Sequence, residues 1–279
     1  MHDLLLAHEP GIRLGVFAAL LLAMALWELI AARRPQRVPR GRRWPANLMI
    51  VALDTLAVRL VFPLAAVGVA LAIEPRGWGL MPWLGVPGWL SVPLCVVALD
   101  GVIYFQHRAF HAVPWLWRLH RMHHADLEFD VTTGLRFHPL EILLSMLLKV
   151  CVVVALGAPA VAVLLFEVIL SATSLFNHGN VGLPVHVDRW LRLLVVTPDM
   201  HRVHHSWHRH ETDSNFGFNL PWWDRLFGTY RAQPEEGHLG MTIGLEAFRD
   251  PRELRLDRLL TQPFRRPDTE AGPRRVSPG

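Results

Sequence analysis

Cysteine is scarce in this chain, and so are the motifs that bind soluble redox cofactors. Only Cys95 and Cys151 are present, and both lie in apolar stretches. Two separated cysteines are too few for an iron–sulfur cluster or a zinc knuckle. The sequence also lacks a G-x-G-x-x-G fingerprint, a Walker motif and an H-E-x-x-H zinc motif. We therefore do not expect the chain to take electrons from a nicotinamide cofactor by itself.

Lysine is almost absent, and arginine supplies nearly all of the positive charge. Lys149 is the single lysine among 28 basic residues, a bias that hints at a GC-rich bacterial gene. The net charge is +4, but the basic residues do not follow a nucleic-acid-binding pattern, so we expect no nucleic-acid partner. Six arginines crowd between Arg33 and Arg43, directly after an apolar run. The positive-inside rule predicts that this loop faces the cytoplasm.

Long apolar runs make up much of the rest of the chain. The hydrophobic fraction is 52% and the mean hydropathy is +0.26, values that suit an integral membrane protein. The runs predict an all-α polytopic protein with four to five transmembrane helices, at about 14–32, 47–73, 89–106, 140–156 and 160–176. The last two runs are joined by three residues, which predicts a hairpin, either fully spanning or re-entrant. Asp54 and Arg59, inside the second run, are expected to form a structural polar pair.

Counting crossings from the arginine loop gives an orientation. The N-terminus is expected outside a bacterial inner membrane, and residues 107–138 and everything after the hairpin are expected on the cytoplasmic side. The C-terminus and a histidine-rich helical cap then share that side. We expect one membrane domain over residues 1–261, with its catalytic part at about 95–230. The proline- and charge-rich residues 262–279 are predicted to form a disordered tail.

Histidine is present in excess, and its spacing is the strongest signal in the sequence. One pair has H-x-x-x-H spacing, and two downstream clusters share H-x-x-H-H spacing. Residues three and four apart share one face of a helix, so each cluster presents converging imidazoles. Imidazole is a ligand for iron, zinc, copper and nickel, and so many ligands suffice for two ions. A further histidine follows the hairpin and is expected as a ninth ligand. The predicted metal ligands are His107, His111, His120, His123, His124, His178, His201, His204 and His205.

Other polar residues are candidates to support this metal centre or to line the path to it. Asp100 lies on one helical stripe with His107 and His111, where it would either orient an imidazole or make a hydrogen bond between packed helices. His138 would ligate a metal, line the substrate path or cap the hairpin. Carboxylates near the clusters could balance the charge of two metal ions bound by neutral nitrogen ligands. These carboxylates are Asp100, Asp126, Asp130, Glu211 and Asp213.

The order of these motifs resembles that of the fatty acid hydroxylase/sterol desaturase superfamily of membrane-bound, non-haem di-iron enzymes. The matching pieces are HRAFH, HRMHH, RFHPLE, FNHGN, and HRVHHS through FGTY, and they cover about 100–230. The resemblance implies that the eight clustered histidines are di-iron ligands and that His178 is the family's extra histidine. Some members carry another histidine four positions later, where this chain has Gly182.

The resemblance also implies a reaction, which we state as an expectation. The chain would hydroxylate or desaturate an apolar lipid, such as a sterol-like or fatty-acyl substrate, using O2 and two iron ions. Zinc can take the place of iron after heterologous expression, because a nitrogen-rich site prefers zinc over ferrous iron when both are available. An external ferredoxin or reductase would supply electrons.

Two other functional classes stay open at this level. A zinc-dependent membrane hydrolase would use a metal-bound water and need neither O2 nor electrons. A metal- or haem-binding transport protein would place its histidines within the spans, facing each other across the bilayer. Here the histidines lie at the ends of spans, which disfavours transport. Iron stoichiometry and O2 consumption would separate the three.

Overall fold

The computed structural model describes residue 6 and residues 8–267, and over these residues the chain is helical. In this described part no strand occurs, and only two isolated bridges join extended residues, Ala32 with Val181 and Ser206 with Ile243. The prediction of an all-α protein is confirmed. The α-helices are α1 (Glu9–Ile30), α2 (Arg40–Val61), α3 (Ala65–Ile73), α4 (Leu80–Trp83), α5 (Gly88–Ala112), α6 (Pro114–His124), α7 (Pro139–Leu156), α8 (Ala160–Asn177), α9 (Val185–Leu191), α10 (Pro198–His204), α11 (Arg209–Thr212), α12 (Trp222–Leu226), α13 (Gly237–Gly240) and α14 (Leu256–Thr261).

Five candidate membrane spans are present among the described helices, the upper end of the predicted range. The first span is α1, and the second is the segment Arg40–Trp83, which contains α2, α3 and α4. The other three spans are α5, α7 and α8. The second span is broken rather than continuous, because α2 ends at Val61 and α3 begins at Ala65. Pro63 lies in the break, where its missing N–H and its ring prevent a regular helix from continuing. The chain is an integral membrane protein.

The predicted hairpin forms from α7 and α8. Each arm has 18 residues, which is about 27 Å of helix and close to the thickness of the hydrocarbon core. Gly157 ends α7 in the left-handed conformation, with φ of 63°. A Cβ at this position would lie 2.1 Å from the carbonyl oxygen of Trp78, so only glycine fits the turn.

The predicted pair between Asp54 and Arg59 is wrong. Asp54 is buried against the bundle, whereas Arg59 is exposed, and no salt bridge joins them. Five positions on an α-helix differ by about 140° in direction, so the two side chains of α2 leave from nearly opposite faces.

The arginine-rich segment packs against the histidine-bearing end of the bundle. Arg43 is fully buried, and its guanidinium donates to both carboxylate oxygens of Asp126 at 2.7 Å and to Asp130 at 2.6 Å. Arg33 forms a salt bridge with Asp199 at 3.3 Å. The arginine loop and the histidines therefore share one end of the molecule, as the crossing count predicted.

The beginning of the predicted disordered tail is ordered. Residues Gln262–Phe264 form a 3₁₀ turn that packs against α6. Arg121 donates to the carbonyl oxygens of Gln262 and Arg265 at 2.7 and 2.6 Å, and Arg118 donates to that of Pro263. These backbone bonds anchor the segment although its composition is polar. The rest of the predicted tail, 268–279, lies outside the described residues.

Candidate metal centre

Two short helices carry the doubled H-x-x-H-H clusters, and local sequence determines where each begins. Pro114 occupies the first turn of α6, where its missing N–H has no intrahelical partner to lose. Thr197 caps α10, because its hydroxyl accepts a hydrogen bond from the Met200 amide. Each cluster lies toward the C-terminal end of its helix, and His205 is the residue that follows α10.

All nine predicted ligands meet in two buried groups. Within each group, one ligand atom per residue lies within 4.8 Å of those of the others. Both groups draw on α6 and α10, while α5 supplies only the first and the residue that follows α8 only the second. The first group is His107, His111, His120, His124 and His204; the second is His123, His178, His201 and His205.

Backbone carbonyls fix the orientation of three of these imidazoles. Nδ1 of His107 donates to the Phe216 oxygen at 2.8 Å. Nδ1 of His204 donates to the Ser214 oxygen at 2.7 Å. His178 reaches back one turn in the same way, to an oxygen at 2.8 Å. Because carbonyl oxygens only accept, these rings carry their proton on Nδ1 and present the lone pair of Nε2 to the centre.

Carboxylates hold two further rings in the same tautomer. Nδ1 of His120 lies 2.7 Å from Oε1 of Glu141, and Nδ1 of His111 lies 3.2 Å from Oδ1 of Asp213. A histidine that ligates a metal usually donates its other ring N–H to such a partner, which orients the ring and raises its basicity.

The electrostatics and the unpaired nitrogens fit a bound cation. The pKa values of His120 and His178 are lowered to about 3, because burial penalises the charged imidazole. Nε2 of His178 faces Nε2 of His201 at 3.0 Å and Nε2 of His123 at 3.2 Å, so nitrogen lone pairs converge. Buried nitrogens without a hydrogen-bond partner include Nε2 of His111 and Nε2 of His204. One divalent metal ion in each group would satisfy these atoms.

Three of the other candidate residues hold the scaffold rather than an imidazole. Asp100 lies two helical turns, about 10 Å, from His107, which is too far to reach that imidazole. Its carboxylate accepts from Nε1 of Trp223 at 2.8 Å. Asp130 accepts from Arg43, and Glu211 accepts from the Glu235 amide at 2.6 Å. Of the predicted supporting carboxylates, only Asp213 contacts a clustered histidine.

His138 takes one of its three predicted roles. Its Nδ1 accepts from the Leu140 amide at 3.2 Å, so it caps α7, and its Nε2 donates to the Leu260 oxygen at 3.1 Å. With both ring nitrogens engaged, His138 belongs to neither group of histidines.

Sequence analysis gave no role to Glu141 or Gly134, and both touch the centre. Glu141 is part of the RFHPLE motif, and its place in the first turn of an apolar helix was the available signal. Gly134 lies against His178, and a Cβ there would be 2.9 Å from Nδ1 of that ring. No pattern in the sequence marks a close approach of this kind.

A cavity of about 280 Å³ adjoins the first group of histidines. His107 and His120 form part of its wall, and the aromatic rings of Phe110, Phe137 and Phe218 form another part. The cavity continues between α5, α7 and α8, so a ligand inside it would reach the imidazoles from within the bundle.

Comparison with known proteins gives the chain its family. A family model described as fatty acid hydroxylase matches residues 92–229, the region that holds every clustered histidine. Ornithine lipid hydroxylase OlsE of Rhizobium tropici is 31% identical over 67% of this chain and 56% of that protein. The chain belongs to the fatty acid hydroxylase/sterol desaturase superfamily. The resemblance seen in the histidine motifs is confirmed.

Other relatives of the chain are named for different reactions. Human alkylglycerol monooxygenase is 30% identical over 60% of this chain and 36% of that protein. Very-long-chain aldehyde decarbonylase GL1-6 of Oryza sativa subsp. indica is 25% identical over 72% of this chain and 30% of that protein. The chain thus spans 30% to 56% of the length of these three relatives. No solved structure matches it.

Proposed function

We propose that this protein is a membrane-bound di-iron oxygenase that hydroxylates or desaturates a lipid, with hydroxylation favoured. The observation that carries the proposal is the meeting of nine neutral, buried histidines in two groups beside a cavity within the bundle. The relatives named as a lipid hydroxylase and a monooxygenase support the same reaction class.

In this proposal each histidine group holds one iron ion. The iron pair would supply reductive activation of O2 for attack on an unactivated C–H bond. The chain's own residues position the ligands: the carbonyl oxygens of Phe216 and Ser214 hold the Nδ1 protons of His107 and His204. The side chains of Phe137 and Phe218 pack on the imidazoles, with the Phe137 ring stacked 4.5 Å from His123, and give that side of the site an apolar surface.

In this proposal a separate protein supplies the electrons, because the sequence has neither a G-x-G-x-x-G fingerprint nor a cysteine set for an iron–sulfur cluster. We propose a ferredoxin or reductase that docks at the histidine-bearing end, on the cytoplasmic side of a bacterial inner membrane. A reporter fused to the C-terminus tests the orientation. Activity of that reporter only in the periplasm would refute it.

The decisive experiment combines metal analysis with O2 consumption. Purified active protein should contain two iron ions per chain and consume O2 when a reductant and its lipid substrate are supplied. His123→Ala and His204→Ala should each abolish O2 consumption while the protein still inserts in the membrane. His186→Ala is the matched control, because His186 is exposed and belongs to neither group.

The substrate itself is found by comparative lipidomics of a deletion strain and its complemented parent. A gain of one oxygen or a loss of two hydrogens in one lipid identifies the substrate and the outcome. One metal ion or none per active chain would refute the di-iron proposal. Ester or amide cleavage products together with bound zinc would favour a zinc hydrolase.

A further inference from the structure

The wall of the cavity carries polar side chains from α5 and from the hairpin. In α7, Glu141, Ser145 and Lys149 follow each other at four-residue steps within otherwise apolar sequence. Residues four apart lie on one helical face, so α7 presents a polar stripe to the cavity. Gln106 of α5 faces this stripe, and its amide nitrogen donates to the hydroxyl oxygen of Ser145. The cavity is therefore not a uniformly apolar passage.

The far end of the cavity is charged, but its charges are balanced. Oε1 of Glu167 lies 2.6 Å from Nζ of Lys149, and Oε2 of Glu167 lies 3.1 Å from Nη1 of Arg13. Arg13 also forms a salt bridge with Glu9 at 2.7 Å. Two cations thus meet two carboxylates, so this end presents no net charge that would attract an ionic ligand.

Unused hydrogen-bonding capacity remains at the other end, beside the histidines. Oε1 of Glu141 accepts from Nδ1 of His120 at 2.7 Å, whereas Oε2 of Glu141 is buried without a hydrogen-bond partner. The Gln106 amide donates to Ser145 through Nε2, and its Oε1 is also buried without a partner. Both atoms are acceptors, and a buried acceptor that stays unpaired costs free energy. This end of the cavity therefore suits a ligand that donates hydrogen bonds.

The two unpaired acceptors lie close to each other and to the first group of histidines. Gln106 contacts Ser145, which lies one helical turn from Glu141, and residues at that spacing have Cβ atoms about 5–6 Å apart. His107 and His120 form part of the same wall. A donor group bound here would hold the carbon atoms next to it beside these imidazoles.

We propose that Glu141, assisted by Gln106, selects a lipid that carries a hydroxyl group near the carbon presented to the histidines. The lipid O–H would donate to Oε2 of Glu141. An ammonium group could also donate, but the metal ions proposed beside it would repel its positive charge, so a neutral donor fits better. The inference rests on the proposed lipid oxygenase function and names the substrate class of that site.

Ligand binding to the full chain in phosphatidylcholine nanodiscs tests this inference. The probes are tritiated oleyl alcohol, oleyl methyl ether and oleylamine, which share one chain; empty nanodiscs give the background. The wild-type protein should bind the alcohol about tenfold tighter than the ether, because only the alcohol can donate a hydrogen bond to a carboxylate. It should also bind the alcohol tighter than the amine, and the reverse order would overturn the proposal of a neutral donor.

Variants of the two acceptors test their roles separately. Glu141→Gln should make the alcohol and the ether bind equally, because the amide oxygen still accepts from His120 and the amide N–H then faces the cavity. A preference caused only by the bulk of the methyl group would persist in this variant. Gln106→Met should reduce the preference for the alcohol, whereas Gln106→Glu should retain it. Gln233→Met is the matched control, since Gln233 is exposed and lies outside the cavity wall.

Two results would overturn the inference: equal affinity of the wild-type protein for the alcohol and the ether, or an unchanged preference in the variants of Glu141 and Gln106. If one of these variants does not fold, the other decides. Iron content and O2 consumption, measured on the same samples, separate this inference from the proposed function. Equal affinities in protein that holds two iron ions and consumes O2 overturn the inference alone. A preference for the alcohol in protein without iron or O2 consumption overturns the proposed reaction alone.

Discussion

Arg43→Met should destabilise the protein severely, although Arg43 touches none of the histidines. The guanidinium is fully buried and bonds to both Asp126 and Asp130. Although burial alone would raise it, the neighbouring guanidiniums of Arg43 and Arg136 lower the pKa of Asp126 below its ordinary range. Removing one partner of a buried ion pair typically costs about 3–5 kcal/mol, because the other charge stays buried and uncompensated. For a chain of this size that corresponds to a fall in Tm of roughly 6–20 °C.

The assay is thermal unfolding of the detergent-solubilised protein at several pH values. Arg42→Met is the control, since Arg42 is the exposed neighbour of Arg43 on α2 and carries the same charge. A carboxylate with a depressed pKa stabilises the fold above the pKa of the unfolded chain, near 4, and this stabilisation is lost as the pH falls. The penalty of Arg43→Met should therefore be nearly constant from neutral pH to about pH 4 and shrink as the pH falls further. A Tm for Arg43→Met equal to that of Arg42→Met would refute this reasoning.

Three further predictions concern the histidines. Gly134→Ala should displace the His178 ring, lower the metal content and cost about 1–3 kcal/mol of stability. Gly182→Ala, whose Cβ would meet its nearest atom at 3.5 Å, should have none of these effects, and metal analysis and thermal unfolding compare the two variants. Glu141→Ala should weaken metal binding about 10–100-fold, because His120 loses the carboxylate that orients its ring, and Glu141→Gln should weaken it less because the amide oxygen still accepts from His120. Competition with a chelator measures both affinities, and wild-type affinity in Glu141→Ala would contradict the assigned contact. Metal-free protein should lose stability as the pH falls below about 6.5, by about 1.4 kcal/mol per pH unit for each buried histidine, because the folded state lowers the pKa of these imidazoles and only the unfolded chain takes up the protons. A constant Tm between pH 7 and pH 5 in chelator-treated protein would argue against buried neutral imidazoles.

The helical spacing of the histidines was enough to predict which of them meet. His120, His123 and His124 lie on one short helix, and their three- and four-residue spacing, visible in the sequence, predicts that their side chains converge. Which histidines of different helices share a group was not predictable, because it depends on how the helices pack. His123 and His124 are neighbours in sequence but belong to different groups, because successive residues of a helix point about 100° apart.

The contacts that orient the imidazoles could not be predicted either. The acceptors for His107 and His204 are carbonyl oxygens of Phe216 and Ser214, and a backbone oxygen has no sequence signature. Asp100 was a misleading candidate, since a shared stripe gives direction around the helix but not reach along it. In contrast, the four-residue spacing of Glu141, Ser145 and Lys149 within apolar residues was visible in the sequence and predicts one polar face on α7.

In the proposed di-iron site, metal binding and folding of the histidine-bearing end are one process. The first group needs α5, α6 and α10 together, and the second needs α6, α10 and the residue that follows α8. No single helix offers more than two ligands to either group, so neither site exists in the unfolded chain. The nine imidazoles must also be neutral, with their lone pairs turned toward each other, an arrangement that a cation stabilises and its removal destabilises. The free energy of metal binding therefore contributes to the stability of this whole end of the protein. The buried ion pairs of Arg43 and the carbonyl anchors hold the same residues from outside, which keeps the ligands close to their positions before a metal ion arrives.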